Sequence, residues 1–171
     1  MIGLIKTNLN MKQFALCLIA ASLLVSCNHK QKSPEVTQEK TEIMVKEEKQ
    51  KIEKLLSLYK KSLNTSDAKL AQSLYTKDGV FMPTEAPSGV GSEGILKSYE
   101  FVFSQIQLNI EFFIEEIKVE GNMAFAVTSS KGSVKILANG AEAPEANREL
   151  FVFEKVDGEW KIARYMFNKT E

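Results

Sequence analysis

The chain has 171 residues, 22 basic and 22 acidic, and a formal net charge of zero. That length suits one domain with extras, and the balanced charge gives no footprint for a nucleic-acid partner or a polybasic membrane surface. Its two cysteines, Cys17 and Cys27, and its one histidine, His29, all lie near the N-terminus. The body therefore holds no disulfide framework, no thiolate or histidine metal site and no Ser–His or Cys–His nucleophile, and neither a metal nor a cofactor is expected.

Phe14 to Val25 is apolar, with Lys12 as a positive flank. At about a dozen residues it fits a signal-peptide core and falls short of the roughly 20 that span a bilayer. Leu24-Val25-Ser26-Cys27 resembles the bacterial lipobox, in which the cysteine is acylated and becomes the mature N-terminus. An ordinary secretory signal with an incidental cysteine is the alternative. Residues 1–27 are thus expected to be a lipoprotein signal, with 1–10 an over-long start before Met11-Lys12, and the protein to be exported and lipid-anchored to the inner or outer membrane of a bacterial envelope. Residues 28–44 are polar and contain Pro34; they read as a flexible tether with a reach of roughly 20–25 Å, and His29 as a solvated residue in it.

A domain is expected over 45–171. Ile52, Leu55, Leu56, Tyr59 and Leu63 recur at helical spacing and form one stripe, while Lys46-Glu47-Glu48-Lys49 is a solvated first turn. Asp67 reads as the N-cap of a short second helix with Leu70, Leu74 and Tyr75 inward. Asp78-Gly79 reads as a turn before a short strand, Val80-Phe81-Met82, ended by Pro83, and Ser92 as the cap of a third helix running to about Ser104. Beyond it everything alternates as strands. Leu108, Ile110, Phe112 and Ile114 share one phase, which slips to Ile117 and Val119 and so indicates a bulge. A second slip is expected near Lys131-Gly132, after Met123, Phe125 and Val127. Glu120-Gly121-Asn122, Asn139-Gly140 and Asp157-Gly158 mark turns. The order implies α+β: three N-terminal helices packed on a strongly curved, mostly antiparallel sheet.

Leu74-Tyr75-Thr76-Lys77-Asp78-Gly79-Val80-Phe81-Met82-Pro83, followed by Gly91-Ser92-Glu93-Gly94-Ile95, resembles the early motif of the nuclear-transport-factor-2-like superfamily. Asn147-Arg148-Glu149-Leu150-Phe151 with Asp157-Gly158-Glu159-Trp160-Lys161-Ile162-Ala163-Arg164-Tyr165 resembles its SnoaL-like and ketosteroid-isomerase-like bacterial branch. The resemblance covers about residues 47–169. It implies a cone with an apolar pocket between helices and sheet, and commonly a dimer through the sheet's outer surface. Activity has to be argued from the site, because such folds host isomerases, dehydratases, cyclases and non-enzymatic domains alike.

A two-residue turn at Asp157-Gly158 sets Trp160 opposite Lys155 and, under strict alternation, Arg164 opposite Phe151 and Met166 opposite Glu149. One face then carries Asn147, Glu149, Phe151, Phe153, Trp160, Ile162, Arg164 and Asn168; the other carries Leu150, Val152, Ala163, Tyr165 and Phe167. We assign the first to a ligand pocket with Phe81, Tyr99, Phe103 and Phe112. Glu149 and Arg164 are then neighbours, either gripping a ligand's anionic or carbonyl group or forming a structural ion pair. The second face is apolar and expected to be covered by a homodimer partner through Leu150, Val152, Tyr165 and Phe167.

Two functions follow. One is a membrane-anchored binding or accessory domain for a small apolar molecule. The other is an isomerase, dehydratase or cyclase with Glu149 as acid or base, beside Tyr99 or Tyr165, and Arg164 for charge stabilisation. Glu115 and Glu116 are adjacent on a strand and make no carboxylate pair. Gly89-Val90-Gly91-Ser92-Glu93-Gly94 matches a nucleotide-loop pattern without its strand–helix context, so its glycines read as turn residues.

Overall fold

The computed structural model describes residues 34–170; the signal segment, Cys17, Cys27 and His29 lie outside them. The element order is α1 (Pro34–Asn64), α2 (Ala68–Ser73), β1 (Tyr75–Met82), β2 (Gly89–Val90), α3 (Gly91–Gln105), β3 (Ile106–Glu120), β4 (Met123–Ile136), β5 (Glu142–Val156) and β6 (Glu159–Lys169). The six strands form one sheet in the order β2-β1-β6-β5-β4-β3, antiparallel except where β1 runs parallel to β6. This is the expected α+β architecture, helices against one face of a mixed sheet.

The stripe on α1 does what its spacing demands: Ile52, Leu55, Leu56, Tyr59 and Leu63 are all buried. Unexpectedly, the helix starts at Pro34, inside the segment read as flexible, and residues 38–44 are exposed along it. Proline is at home in a first helical turn, and the Lys/Glu-rich sequence that cannot make a core can still make a helix. Asp67 is the N-cap of α2, its Oδ1 accepting from the Leu70 amide at 2.9 Å. Ser92 caps nothing: Val90 occupies the cap of α3 with no side-chain bond, and Gly91 enters the helix at φ +67°. Asp78-Gly79 sits inside β1 rather than before it, where the pairing with β6 slips between Tyr75 and Val80. Gly89 packs tightly, since a Cβ there would lie 2.9 Å from the Gly94 carbonyl oxygen. It is a close-approach residue between β2 and α3.

The bulge expected on β3 is present, the register shifting between Ile114 and Glu116 so that Ile117 and Val119 return to the core face. The slip expected at Lys131-Gly132 is absent: β4 pairs without a break from Met123 to Ile136. The inward residues of β4 are the small ones, Ala124, Ala126, Thr128 and Ser130, and it is Phe125 and Val127 that are half-exposed outside. Gly132 keeps the strand continuous, because a Cβ would collide with the Asn109 carbonyl.

Candidate active site

Turn chemistry makes the last hairpin as expected. Asp157 and Gly158 both take positive φ, and Lys155–Trp160 and Phe153–Ile162 pair as the turn dictates. Then the register shifts: Val152 pairs with Arg164 and Phe151 with Tyr165, leaving Ala163 as an extra residue in β6. One extra residue exchanges the faces of everything beyond it. Tyr165 and Phe167 turn inward, the former buried and the latter packed on the core, while Arg164, Met166 and Asn168 leave the inner face. Three expectations are thereby corrected. Arg164 does not meet Glu149; it donates to the Ala163 carbonyl at 2.6 Å and the Asp78 carbonyl at 3.3 Å. Asn168 is exposed, and Tyr165 and Phe167 do not belong to the outer apolar face, which keeps Leu150 and Val152.

Trp160 is buried next to the β5–β6 turn rather than beside Glu149. Its indole N–H donates to Glu48 of α1 at 2.6 Å, Lys155 pairs with the same carboxylate at 2.5 Å, and Lys51 at 2.8 Å. These partners hold Glu48 at a pKa of about 2, Lys155 first among them. The clamp is structural and makes no wall of a cavity with Glu149. Phe103 and Phe151 belong to the core and Phe112 packs against it; none of the three lines the cavity beside Glu149.

The cavity lies where α1, α3 and the inward ends of β4–β6 meet, with a volume of about 90 Å³. From the expected pocket it retains Phe81, Tyr99 and Glu149, and it adds Tyr59, Tyr165, Phe167, Ser130, Asn147 and Glu145. Aliphatic Val102, Ile106 and Leu108 complete its wall. The aromatic side is rigidly stacked: Phe81 lies 4.7 Å from Tyr99 and 5.7 Å from Tyr165, nearly parallel to both. Strand alternation on β5 brings Glu145, Asn147 and Glu149 to one face, all buried. Glu149 accepts from the Thr128 hydroxyl of the neighbouring strand. Burial pushes its carboxyl above the usual range, and hydrogen bonding from Ser130 and Thr128 offsets part of this.

Opposite stands a chain of phenols. Tyr99 Oη is 2.6 Å from Tyr59 Oη and 2.8 Å from Tyr75 Oη. Three hydroxyls own three protons and share two contacts, and the Tyr165 hydroxyl, which Tyr59 also bonds, is an acceptor for the third. Burial raises the pKa of all three, and of Tyr165, where the charge of Glu149 adds to the effect; they stay neutral donors. Among the described residues no cluster of acids is arranged to hold a metal.

A model of the SnoaL-like domain matches residues 52–167. The chain belongs to the SnoaL-like family. This SnoaL-like protein is also similar to a ketosteroid isomerase-like protein from Erwinia carotovora atroseptica, with 30% identity and a TM-score of 0.68, over 70% of this chain and 94% of that one. A nuclear transport factor 2-like protein from Salmonella enterica serovar Typhimurium shares the fold at 20% identity and a TM-score of 0.64, over 72% and 91% of the two chains. So does a type 2 hexachlorocyclohexane dehydrochlorinase at 13% identity and a TM-score of 0.63, over 72% and 86%. No curated protein matches the sequence. The fold is therefore that of a scaffold on which ligand sites and isomerase-like activities are built.

Sequence reasoning placed Asn147 and Glu149 on the right face and missed the tyrosine chain, because Tyr59 and Tyr75 read simply as core. The available signal was that three of the four tyrosines fall on inward positions of α1, β1 and α3.

Proposed function

We propose that the protein is an envelope-anchored binding domain, held by a lipid on Cys27, that takes a small molecule with an apolar body and a polar end into the cavity beside Glu149. What carries the reading is a buried carboxyl without a cationic partner among the residues around it, facing stacked aromatic rings across open space. A carboxyl in such a place costs stability unless it serves something. The cavity is below the several hundred cubic ångströms that enclose a drug-sized ligand, so the polar end enters and the body lies toward Val102, Ile106 and Leu108. The test is a thermal-shift screen of small alcohols, ketones, acids and amines on the full chain and on Glu149→Gln. A stabilising hit lost in the variant supports the reading; no stabilisation by any compound refutes it.

The neutral phenols that line the cavity with Glu149 favour a second reading, an enzyme of the isomerase kind. Glu149 would take a proton from a carbon next to a carbonyl, and the Tyr99–Tyr59 chain would donate to the enolate oxygen, the role given to Arg164 from the sequence. The proton returns from Glu149 to a neighbouring carbon. Solvent deuterium appearing in a bound ketone, abolished by Glu149→Gln, would select this reading over simple binding.

We further propose a homodimer through the outer sheet face. Leu150 and Met166 are exposed there, 37% and 42%, beside half-exposed Phe125, Val127 and Val152. Apolar residues in that density ask for a cover. Sedimentation at micromolar concentration checks it, with Leu150→Lys expected to give monomer.

A further inference from the structure

We infer that the ligand's polar end is a small organic cation, a primary or secondary amine; this rests on the cavity being the binding site. The argument is an inventory of donors and acceptors. Asn147 lines the cavity and is only 6% exposed. Its Nδ2 donates to Glu145 at 3.0 Å and to Ser130 at 3.4 Å. A carboxylate accepts and cannot donate, so the amide must face Glu145 with its nitrogen, which fixes the orientation. The remaining Oδ1 is buried with no donor. An orphaned buried acceptor is uncommon enough to need an account.

The neighbouring acids differ in the same sense. Glu145 is neutralised by Lys169 at 3.0 Å. Glu149 receives hydroxyls only, and no lysine, arginine or histidine lines the cavity among the described residues. The polar wall thus offers the Glu149 carboxyl and lacks a positive charge, with the orphaned Asn147 Oδ1 shut off from solvent among the same residues. The rest of the lining is largely aromatic, Phe81 stacked against Tyr99 and Tyr165, and Tyr165 against Phe151. A carboxyl that lines a cavity with no positive charge suits an ammonium group, which donates to it with charge assistance. An anion would meet Glu149 with like charge, and a neutral carbonyl brings no donor for it. At about 90 Å³ the space is smaller than the roughly 150 Å³ apolar cavity that takes benzene, so a short alkylamine fits and a bulky head does not.

The experiment is ligand-observed NMR on the full chain in detergent micelles with n-butylamine, n-butanol and butyrate, each also titrated into Glu149→Gln to subtract partition into the micelle. The amine is expected to bind about tenfold or more tightly than either analogue, with that preference lost in Glu149→Gln. Asn147→Ser, which keeps the carboxylate and removes the orphan acceptor, is expected to weaken the amine by a smaller factor, about threefold, and serves if the first variant does not fold. Stronger binding of the alcohol or the acid, or amine binding indifferent to both substitutions, overturns the amine while leaving the cavity as a site. Failure of all three probes to bind the wild-type chain overturns the site reading and this one together.

Discussion

Two carboxylates, Glu48 of α1 beside the β5–β6 hairpin and Glu149 in the middle of β5, are treated in opposite ways. Glu48 is gathered by Lys155, Lys51 and the Trp160 indole, and its pKa falls to about 2. Glu149 is more deeply buried, is given only hydroxyls, and its pKa rises. The first spends its charge on holding α1 to the β5–β6 hairpin. The second is a charge site left unsatisfied. The difference separates a structural acid from a candidate functional one by its partners, where residue type and burial alone would not.

The largest effect should come from the phenol chain that faces Glu149. Tyr99→Leu removes the central hydroxyl and a ring stacked on Phe81, and is expected to cost about 3–5 kcal/mol in urea unfolding. A loss under about 1 kcal/mol would mean the aromatic wall is soft and the cavity poorly defined. Glu48→Ala should cost about 1–3 kcal/mol at neutral pH, since it leaves Lys155 and the Trp160 N–H without their acceptor.

The pH dependences should run in opposite directions. Because the folded pKa of Glu48 is lowered, its stabilisation is complete above the unfolded value near 4.5 and is lost as pH falls toward 2. Because that of Glu149 is raised, the folded state binds more protons than the unfolded one in the window above 4.5, and stability declines as pH rises through it. Glu149→Gln should remove that decline and leave the acid limb intact, while Glu48→Gln should do the reverse, both read from melting temperature against pH. The smallest effect is expected at Arg164, which touches only backbone carbonyls: Arg164→Ala should change stability by no more than about 0.5 kcal/mol and ligand binding not at all. A binding defect there would return the arginine to the site.

Much of the fold was legible because period and turn chemistry act locally. The α1 stripe, the Asp67 cap, the Asp157-Gly158 turn and the β3 bulge all come from neighbours in sequence. The site was less legible for a reason visible in two strands. On β3 the step from Ile114 to Ile117 announces the slip. On β6 the same step separates Ile162 from Tyr165, but Arg164 offered an attractive partner for Glu149 under unbroken alternation. The slip was passed over there, and Arg164, Tyr165 and Phe167 changed sides. On β4 the reason is different: larger apolar residues read as core, while the inward positions are Ala124, Ala126, Thr128 and Ser130, with Ala124 and Ala126 paired beside the buried rings of Phe153 and Phe151 on β5. Which residues must be small is set by what lies across from them, and that is not a local property.

The single extra residue at Ala163 is what keeps a phenol rather than a guanidinium in the hollow. Were Ala163 drawn into the ladder opposite Val152, with no change of sequence, Arg164 would take the place of Tyr165 and an acid-lined recess would become a zwitterionic one. Deleting Ala163 would instead leave Val152–Arg164 and Phe151–Tyr165 paired as they are, so the bulge can be lost without altering which side chains line the cavity.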